Sequence, residues 1–118
     1  MRPFLEDVLA YAEKVDLIRA GLSSADDLRR DDIRFLALSK ALEIIGEAVK
    51  GVPDDVRALA PSVPWRSMAG LRDKLTHGYR EVDVDIVWRS ATVELPAVVP
   101  TVRDLLARLT GEEGSAPK

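Results

Sequence analysis

The chain has 118 residues, 47% of them apolar and 31% charged, which suits one small soluble globular domain with a real core. It has no cysteine and a single histidine, which excludes a disulfide framework, a thiolate nucleophile and a zinc site rich in cysteine or histidine. The formal net charge of −3 argues against a general nucleic-acid coat protein, and no apolar run approaches the roughly 18 residues that a membrane helix needs. Met1 to Leu9 carries Glu6 and Asp7 and no continuous apolar stretch, so no signal peptide is expected and the expectation is a cytoplasmic chain away from any membrane.

Pro3 to about Ala20 reads as a first helix. Phe4, Leu5, Val8, Leu9, Tyr11, Ala12, Val15 and Ile18 recur at three- and four-residue spacing, with Pro3 suited to the first turn and Gly21 to the stop. A second helix is expected from Ser24 or Asp26 to Lys50, its apolar face running from Ile33 to Val49, ended by Gly51 and Pro53. At about 25 residues and roughly 1.5 Å per residue it would be the spine of a bundle. The linker from Gly51 to Pro64 holds Pro53, Pro61 and Pro64, with one or two helical turns between Asp54 and Ala60.

Pro64 and Trp65 open a third long helix that reaches His77, with Gly78 placed as its stop. Val82 and Asp83 lead into a fourth helix containing Val84, Ile86, Val87, Trp88 and Ala91. Pro96 and Pro100 are expected to break or kink the chain beyond that helix, and Thr101 to Leu109 to close the fold. No stretch alternates with period two and no repeat is visible, so the fold class is all-α: an antiparallel bundle of four to five helices. Residues 1–110 form the expected domain and 111–118 a flexible polar tail.

The chemistry concentrates in Leu71 to Tyr79, which contains the only histidine. Between Trp65 and Arg80 the cations Arg66, Arg72, Lys74 and Arg80 face one acid, Asp73, a local net of +3 that leaves −6 for the rest. A short window can reach such an excess by chance, yet it coincides with the Arg/His segment. Arginine is a fixed cation and a two-pronged donor to phosphate oxygens, and histidine exchanges protons near neutral pH. The pair points to phosphodiester chemistry or phosphate binding.

On a helix ending at Gly78, His77 lies in the last turn, where the dipole favours its protonated form. Asp73, four residues earlier, shares its face and can orient a ring nitrogen. Arg72 stands about 140° away around the axis at about 100° per residue, so the two converge only if the arginine reaches round or if two chains build the site. RNA cleavage without a metal needs a base for the 2′-hydroxyl, an acid for the leaving oxygen and a cation for the transition state. One imidazole does not comfortably serve as both acid and base in a single step, which favours a two-fold dimer. Tyr79 can stack on a base, donate a hydrogen bond or accept a nucleotidyl group.

Each of these residues also has a plainer role. His77 beside Gly78 can simply cap a helix, Arg72 can be a surface ion-pair partner, and Tyr79 can pack with a wet tip. Glu43 and Glu47, four apart, can be paired acids or merely solvated. Trp65 and Trp88 suit core or interface anchors better than base-stacking platforms.

Arg72, four residues, His77, Gly78 and Tyr79 resemble the Arg-x4-His-x-Tyr signature of the HepT-like toxins, in the HEPN superfamily of metal-independent ribonucleases. Ala41 to Ala48 resembles that family's Ile-Gly-Glu-Ala helix, and Pro64-Trp65 before the motif and Val82 to Trp88 after it also look familial. The similarity spans about Phe4 to Leu109. The resemblance implies a dimeric helical bundle whose composite cleft holds Arg72 and His77 from both chains and cleaves RNA, tRNA being one candidate. Asp73 and Thr76 would support the site, and Lys74, Arg66 and Arg80 would contact RNA. No metal or cofactor is implied. The implied partner is a nucleotidyltransferase antitoxin of the MNT type, in a type VII toxin–antitoxin system, which in some members adenylylates the tyrosine matching Tyr79. The alternative is a non-catalytic subunit that binds a nucleotide or docks on a nucleotidyltransferase. A third reading is a structural helical dimer whose motif only caps a helix.

Overall fold

The computed structural model of the chain describes residues 2–77 and 84–115, with the side chains at 2, 3, 72, 74–77 and 112–115 outside that description. The described residues form helices joined by short turns and one linker, with no strand among them. Helix α1 covers Arg2–Arg19 and buries Leu5, Val8, Ala12 and Val15, the stripe that the apolar spacing marks. It stops at Gly21, whose φ of 88° is the left-handed turn that only glycine takes without strain.

The expected second helix is two helices. Helix α2 covers Ala25–Arg29 and α3 covers Asp32–Lys50. Each has its own cap: the Ser24 hydroxyl accepts from the Asp27 N–H at 3.2 Å, and the Asp31 carboxylate accepts from the Arg34 N–H at 3.0 Å. Asp31 therefore starts a helix where a continuous one was expected. Helix α3 is the central rod, packed against both α1 and α5, and it buries Leu38, Ala41, Leu42, Ile45, Ala48 and Val49. Gly51 ends it with an ordinary φ of −80°. Its lack of a side chain matters for packing, because a Cβ there would lie 2.5 Å from the Phe4 ring at the start of α1.

The proline-bearing linker is ordered by two side chains. Helix α4 is a single turn, Asp54–Arg57. The Arg57 guanidinium donates to the carbonyls of Val49 at 2.9 Å and Val52 at 3.0 Å, so it ties α4 back to the end of α3. The buried Trp65 indole N–H reaches the carbonyls of Arg57 at 3.1 Å and Ala60 at 3.0 Å. Trp65 is thus a core anchor that also fixes where α5, Trp65–His77, begins.

Helix α6, Val84–Arg89, passes through a π turn at Ser90–Glu94 directly into α7, Leu95–Ser115. Of the expected break or kink, the break does not occur: both prolines lie inside the rod, and Thr101 to Leu109, expected to close the fold, does so as part of it. The π turn accounts for this. The Leu95 N–H bonds to the Ser90 carbonyl five residues back, which widens the helix just ahead of Pro96. The Thr92 hydroxyl donates to the Trp88 carbonyl at 2.7 Å and occupies an acceptor in the widened turn. Pro100 is exposed, and the burial of Val98, Val102 and Leu105 offsets the hydrogen bond it omits. Helix α7 packs against α1, and the Arg29–Asp85 pair at 3.2 Å ties α2 to α6.

Candidate active site

Helix α5 carries the motif to its last described residue, His77, as the sequence reading places it. Arg72, Lys74, Thr76 and His77 are described as helical backbone only, and Gly78, Tyr79 and Arg80 lie outside the described residues. By helical register Arg72 falls on the stripe of Trp65, Met68 and Ala69, and Asp73 and His77 fall on another with Arg66. The backbone therefore keeps the angular separation of Arg72 and His77 that their spacing implies.

Asp73 is the one described side chain within the motif. Its Oδ1 accepts from Lys50 Nζ at 2.7 Å, which joins the last turn of α3 to α5. This is the contact that sequence reasoning missed. Lys50 stands 23 residues from Asp73, and from the sequence it reads only as a cation complementing the end of α3. Arg66 is exposed in the first turn of α5, beside Arg57, Pro64 and Ser67. Glu43 pairs with Lys40 at 3.6 Å on α3, and Glu47 is exposed one turn further along the same helix.

An open groove of about 880 Å³ runs between α5 and the α6–α7 rod and is mostly apolar. Leu42 and Ile45 of α3, Met68 and Leu71 of α5, and Val93 and Val98 of the rod lie along it. It follows α5 as far as Leu71, one residue before Arg72. The buried Ser90 hydroxyl donates to Glu94 Oε1 at 3.2 Å within the π turn, and Arg89 pairs with the same carboxylate at 3.5 Å. The start of the motif thus adjoins a concave surface that the described residues leave open.

The profile of the HepT-like ribonucleases matches residues 8–105, which covers most of α1, all of α3 and α5, the motif, and most of the α6–α7 rod. The chain belongs to the HepT-like ribonuclease family. It is 38% identical over 97 residues to a protein of Thermococcus cleftensis described as a probable ribonuclease HepT, covering 82% of this chain and 87% of that one. It is 37% identical over 107 residues to a candidate RNase of Caldanaerobacter subterraneus subsp. tengcongensis, covering 91% and 95%. A candidate RNase of Methanocaldococcus jannaschii is 32% identical over 113 residues, covering 96% and 93%. No solved structure matches the chain significantly. Among the described residues of this HepT-like chain, no helix is long and apolar enough to cross a membrane.

Proposed function

We propose that the chain is a metal-independent endoribonuclease and the toxin of a type VII toxin–antitoxin system. The observation that carries this reading is the family match across residues 8–105, with Arg72, His77 and Tyr79 standing in motif spacing inside it. Two chains assemble one cleft at the ends of their α5 helices. One His77 takes the proton from a ribose 2′-hydroxyl as that oxygen attacks the adjacent phosphorus. The partner's His77, protonated, gives its proton to the departing 5′-oxygen as the P–O5′ bond breaks. Arg72 holds the non-bridging oxygens and stabilises the charge that builds on them. The products of this step are a 2′,3′-cyclic phosphate and a 5′-hydroxyl end. Asp73 and Thr76 support His77, while Lys74, Arg66 and Arg80 guide the RNA backbone. A nucleotidyltransferase antitoxin silences the enzyme by adenylylating Tyr79, which places a bulky anionic group beside the cleft.

The purified protein is expected to cut RNA in the presence of EDTA and to leave cyclic phosphate ends. His77→Ala should lower the rate by about 10²- to 10⁴-fold, the usual contribution of a positioned acid or base. Cleavage that needs a divalent ion, or that survives the substitution, overturns the mechanism.

A further inference from the structure

The basic segment of α5 contains a single carboxylate, Asp73, placed directly after Arg72. A polyanion at this segment meets that negative charge among the cations. Lys50 reaches across from α3 and sets its ammonium 2.7 Å from Asp73 Oδ1. The pair is half-exposed, the lysine side chain at 38% and the aspartate at 53%. Water screens such a pair, so it adds little to stability. Its electrostatic consequence is larger. It offsets the charge of Asp73, the one acid in the sequence of α5, and brings a further cation to it from a second helix. An ammonium has three donors, and Asp73 Oδ1 takes one of them. The flexible four-carbon stem lets the same group stay near Asp73 while meeting a phosphate oxygen. Asp73 lies one helical turn, about 6 Å along the axis, before His77. A cation there stands beside the RNA backbone next to the bond that is cut.

We infer that Lys50 is a substrate-positioning residue, which binds a phosphate flanking the scissile one and cancels the repulsion of Asp73. The inference rests on the ribonuclease reading above, and it adds α3 to a site whose described residues come from α5.

The test uses single-stranded RNA with 2′-O-methyl groups, which binds without being cut, titrated at several salt concentrations, together with steady-state cleavage of the unmodified RNA. Lys50→Met should weaken binding about five- to tenfold and reduce the slope of log K against log salt by about 0.7, one phosphate contact on a single strand. KM should rise by the same factor while kcat stays within about twofold, because the contact serves ground state and transition state alike. Lys50→Arg should retain binding within about twofold. Adding Asp73→Asn to Lys50→Met should recover part of the affinity while the slope stays reduced. Lys50→Gln gives the same readings should the methionine variant fold poorly, and a melting temperature within about 4 °C of the parent certifies either variant.

Unchanged affinity and slope in both neutral variants overturn the assignment, with cleavage by the parent leaving the ribonuclease reading standing. Equal losses in Lys50→Arg and Lys50→Met also overturn it, since the effect then comes from packing and not from charge. A parent protein that binds no RNA at any salt concentration sinks the ribonuclease reading, and the role of Lys50 with it.

Discussion

Two glycines end helices here for different reasons, and only one reason could be read from the sequence. Gly21 stops α1 with a φ of 88°. An alanine there carries a Cβ into the left-handed region, so Gly21→Ala should destabilise by about 1 kcal/mol and lower the melting temperature by about 4 °C. Gly51 sits at −80°, where any residue is comfortable. Its alanine would instead collide with the Phe4 ring, 2.5 Å from the new Cβ. Phe4 is 39% exposed and can swing outward, so Gly51→Ala should cost about 1 kcal/mol, the low end of overpacking, and Phe4→Ala should remove that penalty. A double-mutant cycle on melting curves separates the two cases: coupling to Phe4 at Gly51 and none at Gly21. The sequence marks both as stops because a glycine after a periodic apolar run is the common signal. It cannot mark the ring contact, because Phe4 lies at the start of α1, far from Gly51 along the chain.

The long rods α1 and α3 were legible as elements because their apolar positions repeat every three or four residues, and α5 because Pro64 and Trp65 mark its start and Gly78 its expected stop. The joints were less legible. Periodicity carries across Arg30 and Asp31 without a change of phase strong enough to separate α2 from α3, and acidic residues near a helix start read as a favourable first turn. The structure uses Asp31 as a cap on the Arg34 N–H. Asp31→Ala should therefore cost about 1 kcal/mol, the usual loss at an N-cap, measured as a fall in the denaturation midpoint with unchanged slope. Asp31→Ser should recover most of it, since a hydroxyl can take the same N–H. The α6–α7 rod shows the opposite error. Two prolines within five residues look like a stop, yet the π turn opens the helix ahead of Pro96, and the burial of Val98, Val102 and Leu105 carries the chain on past Pro100. The nearby Thr92 gave no warning: a threonine that bonds a carbonyl four residues back looks like any other helical threonine.

At the scale of the molecule, the motif string was legible because it is local, and Lys50 was not because its contact joins two helices. The groove was equally invisible, since it is bounded by residues from Leu42 to Thr101 that meet only in the folded chain. The assembly of the cleft belongs to this scale too. The proposed division of labour assigns the base to one chain and the acid to its partner, and this has a quantitative consequence. Suppose wild-type and His77→Ala chains are unfolded together, refolded and assayed at constant total protein. If one cleft needs both imidazoles, only dimers of two wild-type chains cut, and activity follows the square of the wild-type fraction. At equal proportions it falls to about a quarter of the starting value, since a missing acid or base alone costs about 10²- to 10⁴-fold. If a single chain supplies a complete site, activity follows the fraction itself and falls only by half. Light scattering at twice the 13.0 kDa chain mass must accompany the assay, so that the refolded species is known to be a dimer, and a tag on one of the two chains, pulled down with the other, confirms exchange. A linear dependence with confirmed exchange refutes the composite cleft, whereas a quadratic one places one proton transfer on each subunit.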